Sequence, residues 1–403
     1  MGFLFASAFH DEFGTWPLAY VPYGGADVGE IAAVAKAVGD GDDAAFHGAW
    51  VAAGDRLAAE ATERLAAGRG ASARELWLRA SCHYMTSLHP LYGDPVDPRL
   101  VAAFRKGTAA LEQGLLLDAA PATRLAIPFE DGAMPGWLVP AAGRAAETRP
   151  LLILTNGYDG TMTDLYCASA VAASRRGYHC LLFDGPGQGA MLVERGMRLR
   201  PDWETVVRAV VDVAVTLPGV DPARIALYGW SLGGYLAPRA ASGEPRLAAC
   251  VADPGLWSVA EGFRAAVVAL GATPAAARHL AGVAQEVLDR FMAMVEGDRR
   301  LRWTIVQRGF WVHGLTSLRD YLAAVETFTL DGRTERIRCP TLLTVGEDDR
   351  LGASAPALYA ALRGPRELLR FTAAEGAGDH CEMRNRSLLN RRVLDWLDGV
   401  LGA

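Results

Sequence analysis

The sequence predicts an α/β protein: a mostly parallel, doubly wound sheet with an N-terminal helical domain before it and a helical cap inserted into it. Three observations point there. The first 120 residues carry helical periodicity and almost nothing that reads as a strand. From Arg124 onward, short apolar runs bounded by turn residues alternate with helical stretches, the pattern of a sheet covered on both faces. The alternation breaks once, between Pro254 and Arg338, where only helical patterns occur over an interval too long for a plain loop.

In chain order, residues 42–67 place Phe46, Trp50, Leu57, Ala61 and Leu65 at helical spacing. Ser72, with Glu75 three residues later, reads as the capping box of the next helix, which carries Leu76, Trp77, Tyr84 and Met85. Another helix runs from Pro98 to Leu116. Leu125–Phe129 and Gly136–Val139 form two short strands around Glu130-Asp131-Gly132. Buried strands follow at Leu151–Leu154, Cys180–Phe183, Ile225–Tyr228, Ala248–Ala252 and Leu342–Val345, with Leu368–Phe371 last. Helices fall at about 163–176, 202–217, 232–242, 353–363 and 384–400. The expected domains are a helical one over 1–120 and an α/β one over 121–403, with the cap at about 255–337.

Gly229-Trp230-Ser231-Leu232-Gly233-Gly234 stands between a strand and a helix. In that context Gly-x-Ser-x-Gly is a nucleophile elbow, because the sharp turn needs glycines and presents the serine at a helix N-terminus. A glycine-rich packing turn is the alternative. A serine nucleophile needs a base, and the base an orienting acid, in the chain order serine, acid, histidine. After Leu342–Val345 the chain reads Gly346-Glu347-Asp348-Asp349-Arg350. Asp349 is the candidate acid and Asp348 the one-register alternative. His380 follows in the glycine-rich loop Glu375-Gly-Ala-Gly-Asp379-His380 and is the candidate base. The oxyanion donors expected are the amide of Leu232 and, from Asn156-Gly157-Tyr158-Asp159-Gly160, that of Tyr158. Asp184-Gly-Pro-Gly-Gln-Gly lacks nucleotide-loop spacing and reads as a structural turn beside the site.

Together these pieces resemble the α/β-hydrolase superfamily, and more narrowly the group holding 2,6-dihydroxypseudooxynicotine hydrolase, the fermentation-respiration-switch proteins and fungal polyketide-shortening hydrolases. Ile127-Pro-Phe-Glu-Asp-Gly, Asp184-Gly-Pro-Gly-Gln-Gly, Gly229-Trp-Ser-Leu-Gly-Gly with Glu244-Pro-Arg-Leu-Ala-Ala-Cys250, and Gly378-Asp-His-Cys381 carry the resemblance. It implies an α/β-hydrolase fold, a Ser231–Asp349–His380 triad and a substrate pocket between the N-terminal helices and the core. It also implies that Glu261 stands where an acidic residue helps to hold substrate, with a solvated cap glutamate as the alternative. Trp230, Trp257, Tyr84 and His83 are candidate pocket walls, with core packing as the alternative. The reaction expected is cleavage of a C–C or ester bond next to a carbonyl in a small aromatic or polyketide-like metabolite. The alternatives are a lyase or cyclase that eliminates an acyl group, and a non-catalytic regulatory binding protein.

A net charge of −6 gives no reason to expect nucleic acid or an anionic membrane as partner. No cofactor is expected. No metal is expected either, because Cys82-His83, His179-Cys180 and His380-Cys381 lack zinc-ligand spacing. The six cysteines include no Cys-x-x-Cys pair and read as buried thiols. Residues 1–9 lack a basic n-region, so a cytoplasmic protein is expected. The resemblance favours a homodimer.

Overall fold

Side chains of a strand alternate between its two sides, so a continuous apolar run buries both faces of a sheet. The computed structural model describes residues 2–402. Eight strands form one sheet in the order β1-β2-β4-β3-β5-β6-β7-β8. They are β1 (Thr123–Phe129), β2 (Gly132–Val139), β3 (Arg149–Thr155), β4 (His179–Phe183), β5 (Val220–Trp230), β6 (Ala249–Asp253), β7 (Thr341–Gly346) and β8 (Arg366–Phe371). The pairs β1/β2 and β2/β4 are antiparallel; all other pairs are parallel.

Alternation sorts the core into two layers. Leu151, Ile153, Leu181, Phe183, Ile225 and Leu227 face the helices Trp203–Ala214 and Gly233–Ala241. Leu152, Leu154, Cys180, Leu182, Ala226 and Tyr228 face the helical stretch 162–175 and the last helix, Arg386–Leu401. Each fully buried leucine, isoleucine or phenylalanine here contributes roughly 1.5–3 kcal/mol.

Among the described residues five α-helices precede the sheet: α1 (Ala8–Gly14), α2 (Val28–Val38), α3 (Asp43–Ala66), α4 (Gly70–Thr86) and α5 (Pro98–Leu116). The Asp42 carboxylate caps α3 by accepting from the Ala45 amide at 3.0 Å. Asp97 does the same for α5, where Pro98 occupies the first position. Ser72 is not a cap. The Ala73 amide already donates to the Arg69 carbonyl, so Ser72 lies inside the first turn of α4. The helices α2 and Gly189–Val193 have no counterpart among the sequence-predicted elements; the signal for α2 is Ile31, Val34, Ala35 and Val38, all on one buried face. The Asp11 carboxylate accepts from the amides of Phe3, Leu4 and Phe5 at 2.6–2.9 Å and folds the start of the chain back over α1.

Between β6 and β7 the helices Ala260–Ala269, Gln285–Gly297 and Leu318–Glu326 pack on a core of their own, with Val267, Leu288, Phe291 and Leu322 buried in it. This cap touches the N-terminal helices through Arg299–Asp43 at 2.6 Å and through Gln307, which donates to the Tyr92 carbonyl at 3.2 Å. No helix among the described residues is long and apolar enough to cross a membrane.

Candidate active site

The turn after β5 is dictated by close backbone approach. A Cβ on Gly229 would lie 1.9 Å from the Gly233 carbonyl oxygen, and one on Gly234 would lie 1.8 Å from that of Pro254. Ser231 itself takes a left-handed conformation, φ 61°, which side chains rarely adopt. Its amide donates to the Asp253 carbonyl at 2.6 Å, fixing the turn to the end of β6.

His380 reaches this turn from the loop after β8. Its Nε2 lies 2.9 Å from Ser231 Oγ and its Nδ1 lies 2.8 Å from Asp349 Oδ2. Asp349 is buried at the end of β7, whereas Asp348 is exposed. Burial disfavours charge on Asp349, but His380 and the amides of Leu351 and Gly352 outweigh it and hold the carboxyl below its usual range. Burial likewise opposes the imidazolium, yet the Asp349 carboxylate wins and holds His380 above its usual value.

Sequence reasoning missed what holds these loops together. Arg386 and Asp253 form a fully buried ion pair at 2.9 Å. Asp253 also accepts from Tyr228 at 2.7 Å and Thr344 at 2.9 Å. Arg386 donates to the Cys381 carbonyl at 2.7 Å, directly after His380. The pair thus ties the serine turn to the histidine loop, where Cys381 and Glu382 also adopt left-handed φ. Nothing local in the sequence distinguishes Arg386 from a solvated arginine.

The loop after β3 packs against the serine turn. A Cβ on Gly157 would lie 2.7 Å from the Leu232 amide nitrogen and 2.8 Å from Ser231 Cβ. Gln188, from the Asp184-Gly-Pro-Gly-Gln-Gly turn, donates to the carbonyls of Asn156 at 2.7 Å and Gly157 at 3.2 Å. The amides of Leu232 and Tyr158 have no acceptor among the described residues.

A cavity of about 1390 Å³ opens over Ser231 and His380, and Leu232, Tyr158 and Trp230 line it. Its other walls come from residues 2–18, the cap and the loops 349–354 and 379–384, and include Phe3, Trp16 and Phe263. Glu261 lies at its rim, 54 % exposed and paired with Arg264 at 2.7 Å. Three expected walls lie elsewhere. The Trp257 indole N–H donates to Asp331 at 2.8 Å, which turns the ring toward the exit of the cap. The Tyr84 hydroxyl donates to Asp55 on α3 at 2.7 Å, and its ring packs against Ala80 and Ala110. His83 Nδ1 lies 2.8 Å from the Arg79 carbonyl, and its ring meets Trp50 edge-on. These faces of α4 serve packing within the helical region, and the chain's first turns reach the cavity instead.

The model of the alpha/beta hydrolase family matches residues 151–387. Hydrolase acrC of Aspergillus aculeatus is 33 % identical over 97 % of this chain and 96 % of its own length. The 20-hydroxy-prefusarin hydrolase FUS2 of Gibberella moniliformis is 30 % identical over 98 % of this chain and 97 % of its own. Among solved structures, 2,6-dihydroxy-pseudo-oxynicotine hydrolase shares the fold with a TM-score of 0.74 at 21 % identity, covering 95 % of each chain. AbyA5 does so with 0.63 at 18 % identity, covering 97 % of this chain and 98 % of its own. A family match that runs from β3 past His380, with relatives at 30–33 % identity along nearly the whole length, makes this protein a member of the alpha/beta hydrolase family.

Proposed function

We propose that the protein is a serine-triad hydrolase that cleaves a C–C or ester bond next to a carbonyl in a small aromatic or polyketide-like metabolite. One observation carries the reading: Ser231, His380 and Asp349 form a continuous relay with both links under 3 Å, facing a cavity. His380 takes the proton as Ser231 Oγ attacks the carbonyl carbon. Asp349 holds the imidazole tautomer and stabilises its charged form. The free amides of Leu232 and Tyr158 receive the oxyanion. As the acyl bond breaks, the imidazolium returns its proton to the leaving oxygen or enolate carbon, and water then releases the acyl group from Ser231.

The cavity exceeds the 300–1,000 Å³ common for drug-sized ligands, which favours an extended substrate over a simple ester. In this reading residues 2–18 and the cap at about 255–337 form walls that keep bulk water from the reacting centre. A relative named for a 20-hydroxy-prefusarin substrate supports a polyketide-like class.

A fluorophosphonate probe tests the nucleophile. Wild-type protein should be labelled at Ser231 and Ser231→Ala should not; an unlabelled wild type would leave a regulatory binding protein as the better reading. Turnover in oxygen-18 water tests hydrolysis. Label in the acyl product supports it, and product without label indicates acyl elimination instead.

A further inference from the structure

Five hydrogen bonds from three parts of the chain converge on the loop 156–160. Arg308, in the cap, donates to Asp159 Oδ2 at 2.7 Å. His313, also in the cap, has Nε2 2.8 Å from the Tyr158 hydroxyl. Tyr92, before α5, donates to the Asp159 carbonyl at 3.2 Å, and Gln188 holds Asn156 and Gly157 from the core side. The Arg308 guanidinium also lies over the Tyr158 ring, 4.5 Å from its centroid. The Arg308 and Asp159 side chains are 12 % and 11 % exposed, and both residues line the cavity.

We propose that Arg308 and Asp159 are a positioning pair through which the cap sets the Tyr158 amide for oxyanion binding. The proposal rests on the serine-hydrolase reading of the same site. An oxyanion donor is effective only at its productive distance, and a displacement of about 1 Å costs on the order of a hundredfold in rate. The Tyr158 amide lies in a segment bounded by Gly157 and Gly160, whose backbone has little stiffness of its own. Gln188 anchors only its start. The side Tyr158–Asp159 is held by Arg308 and His313, with Tyr92 on the Asp159 carbonyl; the cap segment that carries both packs through Ile305 and Phe310 on the insertion's own apolar core and through Trp303, Trp311 and Val312 on the main one. The cap therefore does not need the Arg308–Asp159 bond in order to pack, whereas the loop needs it to stay in place. Neither cap residue has a hydrogen bond to Ser231 or His380, so they act through Tyr158.

The test uses the full chain with p-nitrophenyl butyrate as substrate. Arg308→Met should lower kcat about 10- to 100-fold with KM within about threefold. Arg308→Lys should recover most of the loss. The double variant Arg308→Met, Asp159→Ala should be no worse than the poorer single variant, as expected for one shared interaction. In hydrogen–deuterium exchange, peptides spanning 156–160 should exchange faster in Arg308→Met while those spanning 229–234 do not change. Unchanged kcat and exchange would overturn the proposal. So would a raised KM with kcat retained, which would make Arg308 a substrate-holding group, or additive losses in the double variant. If Arg308→Met does not fold, His313→Phe removes the other tie to Tyr158 and should cost about three- to tenfold in kcat; no loss there also overturns the clamp. A wild type inert to both ester and fluorophosphonate refutes the serine-hydrolase reading, while the exchange experiment still decides whether Arg308 orders the loop.

Discussion

Asp349 meets His380 through a 2.8 Å contact between Oδ2 and Nδ1, and its neighbour Asp348 has no hydrogen bond to the ring. The Asp349 amide donates to the Gly346 carbonyl, closing a turn that carries the second aspartate inward and leaves the first in solvent. Asp349→Asn should therefore lower kcat by about 10⁴-fold, because the amide favours the wrong tautomer. Asp348→Asn should change it by no more than about twofold. Steady-state kinetics on one ester decide this, and equal losses in the two variants would reject the assignment.

In the proposed triad, His380 can accept the serine proton only as neutral imidazole. Because Asp349 raises the His380 pKa, kcat/KM should climb with pH through an ionisation above the ordinary histidine value of about 6.5. Removing the carboxylate charge in Asp349→Asn should move that ionisation to lower pH, since burial then acts unopposed. A pH–rate profile between about pH 5 and 9 reads both. An upward shift in the variant would contradict this account.

Arg386 and Asp253 are both 0 % exposed, so removing one leaves the other charged and unpaired in the interior. Arg386→Met should cost about 3–5 kcal/mol in chemical denaturation. Its activity should fall as well, because the Cys381 carbonyl beside His380 loses its donor. A variant with near-native stability would show that water replaces the guanidinium.

Tyr84 and Trp16 separate packing from the cavity. Tyr84→Phe loses one hydrogen bond to Asp55 and should cost about 1 kcal/mol of stability, with KM unchanged. Trp16→Ala removes a wall of the cavity and should raise KM for an extended ester by about tenfold or more. The reverse pattern would place the substrate among the N-terminal helices.

The sheet was legible because each of its buried strands is a short apolar run with turn residues at its ends. The Ser231 turn was legible for a related reason: it needs glycines, and at Gly229 and Gly234 an added Cβ would lie under 2 Å from a backbone carbonyl oxygen. The choice between Asp348 and Asp349 stayed open because one register step moves a side chain between solvent and the site, and only the turn geometry resolves it. Ser72 misled because a capping signature is local, while the start of α4 is set two residues earlier by where the helix can pack.

By itself the sequence determined the order of the strands and of most helices, the helical interval between β6 and β7, and which serine, histidine and pair of aspartates follow the strands. These are written in periods of two and 3.6 and in glycine spacing, all of them short-range. Tertiary structure alone decided which aspartate meets the histidine, that residues 2–18 rather than α4 wall the cavity, and that Arg386 and Arg308 are buried on acids 133 and 149 residues away. The physical reason is that a long charged side chain looks the same in sequence whether solvated or paired; only the docking of distant elements removes its water and gives it a partner.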